Sequence, residues 1–330
     1  MAKHESVVGG EAKVRDGSVA LVAFGGNVIH KRGEGGSYLE QKANARDMCG
    51  RLLTVLERGY ELVVTHGNGP QVGNLLMQNE LAREMVPDLP LDVLVAQTEG
   101  SLGYILQQEL LNELRRRNRR KYVVTMITQV VVDRDDPAFG HPTKPVGPFY
   151  TEAESDALRQ RFPEWVVGED AGRGYRRIVP SPDPKRIIQS PMVRSLVYAG
   201  NVVLALGGGG VPMTKDANDK FVGVEAVIDK DLSSALLAMD IKADLFVLLT
   251  NTEKVCLNYG TPDEQRLDEL TCEQICEYMQ EGHFPAGSMG PKLEAARTYL
   301  EAGGREVIIT DPEHLADALD GNAGTRVIWK

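Results

Sequence analysis

Cysteine is scarce: Cys49, Cys256, Cys272 and Cys276 are the only ones in 330 residues. They form no paired CxxC array, which argues against a zinc site, and so few suit a reduced, cytoplasmic setting. Positive charge is in deficit, with a formal net charge of −10, which argues against a general nucleic-acid or anionic-membrane role on electrostatic grounds. The one basic run, 115–121, follows an amphipathic stretch and reads as a solvated helix end whose cations complement the dipole. Long apolar runs are also missing. The longest uncharged stretch, 195–214, has the length of a membrane span but contains Asn201, four consecutive glycines and Pro212. It reads instead as a buried strand running into a glycine loop. Residues 1–17 lack an apolar segment, so no signal peptide is expected there, only a disordered leader.

Several catalytic signatures are absent too. There is no Gly-Lys dipeptide, hence no Walker A loop, and no HExxH. Ala286-Gly287-Ser288-Met289-Gly290 lacks the first glycine of a nucleophile elbow. Gly67-Asn68-Gly69-Pro70-Gln71-Val72-Gly73 brings its third glycine one residue late for a dinucleotide fingerprint. P-loop NTPases, zincins, serine hydrolases and Rossmann oxidoreductases all lose ground.

What is present is alternation. Short β-branched runs at 19–24, 62–65, 123–132, 202–206, 245–250 and 307–310 predict strands. Capping boxes at Ser37-Tyr38-Leu39-Glu40 and Thr271-Cys272-Glu273-Gln274 predict helix starts. Two further helices are expected to open at Pro291 and at Asp311-Pro312. The pattern predicts an α/β fold with an open, mainly parallel sheet between helices. From 133 to 191 the rhythm breaks into proline-rich, charged sequence, expected to form a loop-rich subdomain protruding from one domain spanning 18–330.

Three predicted strands end in glycine turns: Gly25-Gly26-Asn27, Gly67-Asn68-Gly69 and Gly207-Gly208-Gly209-Gly210. In an open α/β sheet, ligands bind beyond the carboxyl ends of the strands. Glycine there lets backbone N–H groups approach an anion, and a following helix adds partial positive charge. A single such turn is equally explained by steric need; three converging on one edge suit phosphate or carboxylate. Three lysines stand out beside them. Lys144 lies between Pro142 and Pro145, on a stiffened loop. Lys230 opens a helix next to Asp231, which could cap that helix or orient cations. Lys292 occupies a helix first turn, where a cation opposes the dipole unless an anion binds. Glycine cradles, positioned lysines and an aspartate suit phosphoryl transfer, which needs alignment and charge neutralisation more than covalent help.

These residues also carry a family resemblance. The turns above, Pro142-Thr143-Lys144-Pro145, Glu169-Asp170-Ala171-Gly172-Arg173-Gly174, Val227-Ile228-Asp229-Lys230-Asp231 and Gly287-Ser288-Met289 resemble those of carbamate kinases in the amino acid kinase superfamily. The resemblance runs in order from about residue 19 to the C-terminus. It implies a sheet of about eight strands, a protruding subdomain and a homodimer in arginine catabolism. It implies reversible transfer between carbamoyl phosphate plus ADP and carbamate plus ATP, with Mg²⁺ and no covalent enzyme intermediate.

By position, Gly25, Gly26, Asn27, Gly67, Asn68, Gly69, Gly208 and Gly209 would bind the carbamate and phosphoryl groups. Lys144 would reach in from the insert. Lys230 and Lys292 would stabilise the transferring phosphoryl, with Asp231 orienting them. The nucleotide would lie along 249–259 and 285–292, near Thr250, Glu253, Tyr259, Met289 and Lys292. Two departures stand out: Glu99 where the family usually has glutamine, and Thr250-Asn251-Thr252-Glu253 where it usually has Thr-Asp-Val-Asp. The rival readings are a kinase for another small carboxylate and a catalytically silent nucleotide or metabolite sensor.

Overall fold

The structure, a computed structural model, describes residues 17–31, 33–170, 173–284 and 289–329. The leader expected at 1–17 lies, up to residue 16, outside them. So do 171–172 of the Glu169–Gly174 motif and 285–288 of the expected nucleotide loop.

The first part of the chain forms β1 (Val19–Phe24), α1 (Tyr38–Glu57), β2 (Glu61–His66), α2 (Gly69–Ala82), α3 (Leu91–Arg116), β3 (Val123–Thr125) and β4 (Gln129–Val132). Next come β5 (Lys144–Tyr150), α4 (Glu152–Arg161), β6 (Val166–Glu169), β7 (Tyr175–Val179) and β8 (Pro184–Ile187). The chain continues with α5 (Ser190–Tyr198), β9 (Val202–Leu204), β10 (Val211–Lys215), β11 (Phe221–Gly223), α6 (Lys230–Ile241) and β12 (Leu245–Leu249). It closes with β13 (Val255–Leu257), β14 (Gln265–Leu267), β15 (Glu269–Thr271), α7 (Cys272–Gln280), α8 (Met289–Glu301), β16 (Glu306–Thr310), α9 (Leu315–Leu319) and β17 (Thr325–Ile328).

An eight-stranded sheet in the order β15-β17-β16-β12-β1-β2-β9-β3 forms the body, parallel except where β16 meets β17. This is the expected open α/β sheet. Its central strand β1 shows why both faces carry helices. Val19, Leu21 and Ala23 enter one core with α5, α6, α7 and α8; Ala20, Val22 and Phe24 enter the other with α1, α3 and α9. Side chains alternate across a strand, so an all-apolar strand demands cover on both sides.

Both predicted capping boxes form, at Ser37 and at Thr271. Several boundaries differ. The run 123–132 is two strands: β3 belongs to the main sheet and β4 to a second sheet, β11-β10-β4-β8. Thr128 between them is fully buried, its side chain used in hydrogen bonds. Strand β9 stops at Leu204, because Leu206 takes a left-handed φ of 53° that no strand accommodates. Helix α8 starts at Met289, two residues before Pro291. Asp311 does not open a helix directly; its carboxylate accepts from the His314 N–H, and α9 begins at Leu315. Residues 133–191 hold more regular structure than their composition suggests, including the antiparallel sheet β5-β7-β6 and helix α4.

No helix among the described residues is long and apolar enough to cross a membrane. The 195–214 run becomes the end of α5, β9, the glycine turn and most of β10.

Candidate active site

Strands β1, β2 and β9 are adjacent and parallel, so their three glycine turns emerge side by side at one end of the sheet. They close on one another to within backbone contact. A Cβ on Gly67 would stand 2.6 Å from the Gly26 nitrogen, and one on Gly26 would stand 3.2 Å from the Asn68 nitrogen. Gly208, at φ +70°, lies so close to the Asn68 side chain that any Cβ would collide with it. Gly26 and Gly67 need glycine for close approach, and Gly208 needs it for its dihedral as well.

Helix α2 begins at Gly69 with Pro70 in its first turn. Its N-cap residue, Asn68, makes no side-chain cap; the amide donates instead to Thr98 Oγ1 at 2.8 Å. The opening N–H groups of α2 are therefore left to face the cleft with the positive end of the helix dipole.

Opposite the glycines stands a buried ion cluster. Asp231 is bound by Lys230 Nζ at 2.5 Å and by Lys292 Nζ at 2.9 Å. The lysine side chains are only 15% and 12% exposed. Burial works against the charge on Asp231, but the two ammonium groups outweigh it and hold the carboxyl at about 2. Burial likewise lowers Lys230, partly offset by Asp231. Asp231 thus orients two cations, whereas the helix cap is Asp229, whose carboxylate accepts from the Asp231 N–H at 2.9 Å. The other oxygen of Asp229 receives Lys144 Nζ at 2.8 Å, from the start of β5. Lys230 also rests against the glycines, its Cδ 3.3 Å from a Cβ position on Gly67.

The cleft between these walls has a volume of about 320 Å³. It brings together Lys144, Lys230, Asp231, Lys292, Gly25, Gly26, Asn27, Gly67, Asn68, Gly69, Gly208 and Thr250. It does not bring in Gly209, Glu253, Tyr259 or Met289. Gly209 packs against the Ile228 carbonyl. Glu253 pairs with Arg266 near the β13–β14 hairpin, and Tyr259 is 66% exposed in the turn of that hairpin. Met289 packs on the core beneath α8.

Sequence reasoning missed Asp229 and Arg176, which also line the cleft. An Asp just before a helix is a cap signal, so Asp229 was within reach. Arg176 had none: β7 carries it, and it donates to the Gly147 carbonyl and pairs with Asp170. Glu99 does not line the cleft; it is buried behind the third glycine turn.

Known proteins match this arrangement closely. The amino acid kinase family model matches residues 18–311. The chain is 48% identical over 312 residues to the carbamate kinase-like protein YahI of Escherichia coli, covering 94% of this chain and 98% of that one. It is 48% identical over 314 residues to the carbamate kinase of Pyrococcus furiosus, covering 94% and 99%. The structure of carbamate kinase from Giardia lamblia bound to AMP-PNP superposes with a TM-score of 0.89 at 40% identity, covering 95% and 99%. A cleft of glycine turns and buried lysines at the strand ends belongs to a phosphotransferase, and the chain belongs to the amino acid kinase family. Within that family it groups with the carbamate kinases.

Proposed function

We infer that this cleft transfers a phosphoryl group reversibly between carbamoyl phosphate and ADP, giving carbamate and ATP. The observation that carries the reading is the Lys230–Asp231–Lys292 cluster facing three glycine turns. The phosphoryl group sits between them. The N–H groups of Gly26, Asn68 and Gly69 hold its oxygens from one side, while the Gly67 N–H is spent on the Phe24 carbonyl, and the two ammonium groups neutralise them from the other. A terminal oxygen of ADP attacks phosphorus as the bond to the carbamate oxygen breaks, and carbamate leaves with that electron pair. Lys144 closes over the site from the insert, exchanging part of its bond to Asp229 for one to substrate.

Direct transfer fits the lining, which among the described residues holds no serine, cysteine or histidine, while both aspartates are ion-paired. On this reading the nucleotide would lie along Leu249, Thr250 and Asn251, which line the cleft at the end of β12.

Mg²⁺ belongs to this reading as a companion of the nucleotide. Among the described residues no three His, Cys, Asp or Glu side chains gather as a metal cage. The ion would be held mainly by phosphate oxygens and water and would neutralise charge on the nucleotide. A homodimer also belongs to it. Tyr104, Tyr122 and Ile127 are exposed at the β3 edge of the sheet and on the helix that covers it. The setting is a reducing cytoplasm, suited to four unpaired cysteines, and a role in arginine breakdown.

The test is ATP formation from ADP, Mg²⁺ and either carbamoyl phosphate or acetyl phosphate. Fast turnover with carbamoyl phosphate alone is expected. Preference for acetyl phosphate would replace the donor, and folded protein that binds ADP without turning over either would replace the enzyme with a sensor.

A further inference from the structure

We propose that Glu99 is a positioning residue for the phosphoryl cradle, fixing the left-handed turn at 206–210 to α3 from behind. The proposal rests on the reading of the cleft as the transfer site. Glu99 is 1% exposed and touches no part of the cleft itself. Its Oε2 accepts from the Thr128 N–H at 2.8 Å, and its Oε1 pairs with Thr128 Oγ1 at 2.8 Å. The Gly207 N–H donates to the same carboxyl. Thr128 Oγ1 in turn accepts from the Leu206 N–H at 2.6 Å.

Glu99 therefore controls, directly or through one hydroxyl, both residues that open the turn. The turn is costly. Leu206 sits at φ +53°, and Gly208, Gly209 and Gly210 follow at +70°, +96° and +90°. A leucine in that region is strained and persists only where its surroundings impose it. One residue earlier, Thr98 holds Asn68. Two adjacent residues of α3 thus fix two walls of the cradle.

The carboxyl does this without charge. Burial pushes Glu99 up to about 8 despite its hydrogen bonds to Thr128 and Gly207. The titratable side chain facing it is His66 on β2, across Gly207, and burial holds that imidazole down at about 4, hence neutral. Among the described residues no ammonium or guanidinium pairs with Glu99. Below about pH 8 the group supports an anion site without opposing its ligand. Above that, it places a negative charge directly behind the turn.

The experiment follows amide exchange of residues 206–210, and kcat and KM for carbamoyl phosphate from pH 6 to 9.5. It compares wild type, Glu99→Gln, Glu99→Ala and Thr128→Val. Glu99→Ala is expected to raise exchange of the turn and lower kcat/KM by about 10-fold or more, with Glu99→Gln restoring most of both at pH 7. Thr128→Val takes the place of Glu99→Ala if that variant does not fold. The wild-type KM should climb above pH 8, and that climb should vanish in Glu99→Gln. Wild-type exchange and kinetics in folded Glu99→Ala, or the same pH climb in wild type and Glu99→Gln, would overturn the proposal. A wild type without turnover would overturn the transfer reading, while the exchange measurement still decides Glu99.

Discussion

On the β1–β2–β9 side of the cleft, a Cβ on Gly67 would stand 2.6 Å from the Gly26 backbone, and Gly208 has no room for one beside Asn68. On the β12 side, Thr250 and Asn251 leave the strand for a hairpin whose tip is exposed. The first side is built from buried backbone in close contact and a buried ion cluster. The second is built from side chains on connecting chain, with Glu253 and Tyr259 turned away from the cleft. The difference follows the chemistry each side would perform. Charge development on a transferring phosphoryl group rewards donors fixed in advance. Holding a nucleotide tolerates looser, more variable contacts.

The comparison can be broken most directly on the rigid side. Lys292→Ala is expected to lower turnover by about 10²–10³-fold, as removal of a preorganised charge does. Steady-state kinetics on folded variant protein checks this; turnover within a few-fold of wild type would remove Lys292 from the chemistry. Gly67→Ala comes next. Its Cβ must push against the Gly26 nitrogen, so kcat/KM should fall by about 10²-fold, with a stability loss of about 1–3 kcal/mol. Thermal unfolding alongside kinetics separates the two effects.

Lys144→Ala should cost less, about 10-fold, because its side chain is 38% exposed and sits on the insert rather than the sheet. Its signature should fall on the carbamoyl phosphate step, with ADP affinity retained in a binding titration. Tyr259→Ala sharpens the comparison from the permissive side. An exposed residue in a hairpin turn should change the KM for ADP by less than about 3-fold. A loss of 10-fold or more would extend the nucleotide site along the hairpin.

The buried acids offer a test that needs no substrate. Glu99 titrates higher in the folded chain than the ordinary 4.5, at about 8. Its contribution to stability is complete below about pH 4.5 and is lost as pH rises toward 8. Glu99→Gln should therefore gain on wild type in Tm as pH goes from 5 to 8. Asp231 runs the other way. Its carboxyl is held down at about 2, so its contribution is complete above about pH 4 and is lost as pH falls toward 2.

These regions also differed in how well the sequence revealed them. Strand β1 matched its apolar run residue for residue, since a six-residue strand buried on both faces has no other reading. The three glycine turns were visible because each interrupts such a strand, and the sheet order brings them together. The lysines were visible because prolines or a helix start mark their places. What stayed hidden depends on direction rather than composition. Nothing after Thr250 says that the chain leaves the cleft, so Glu253 and Tyr259 were grouped with it on the family resemblance alone. Thr128 lay inside what read as one strand, and only the split into β3 and β4 turns its hydroxyl toward Leu206. Glu99 stood out as an unusual carboxylate, but nothing in the sequence says that it lies behind the turn.

The central claim is that the Lys230–Asp231–Lys292 cluster acts on the transferring group and not on nucleotide binding. The most direct measurement pairs single-turnover ATP formation from carbamoyl phosphate with an ADP titration, in wild type and Lys292→Ala. The account predicts a chemical step slowed by at least about 10²-fold with ADP affinity within about 3-fold of wild type. An unchanged chemical step, or a loss confined to ADP affinity, would contradict it.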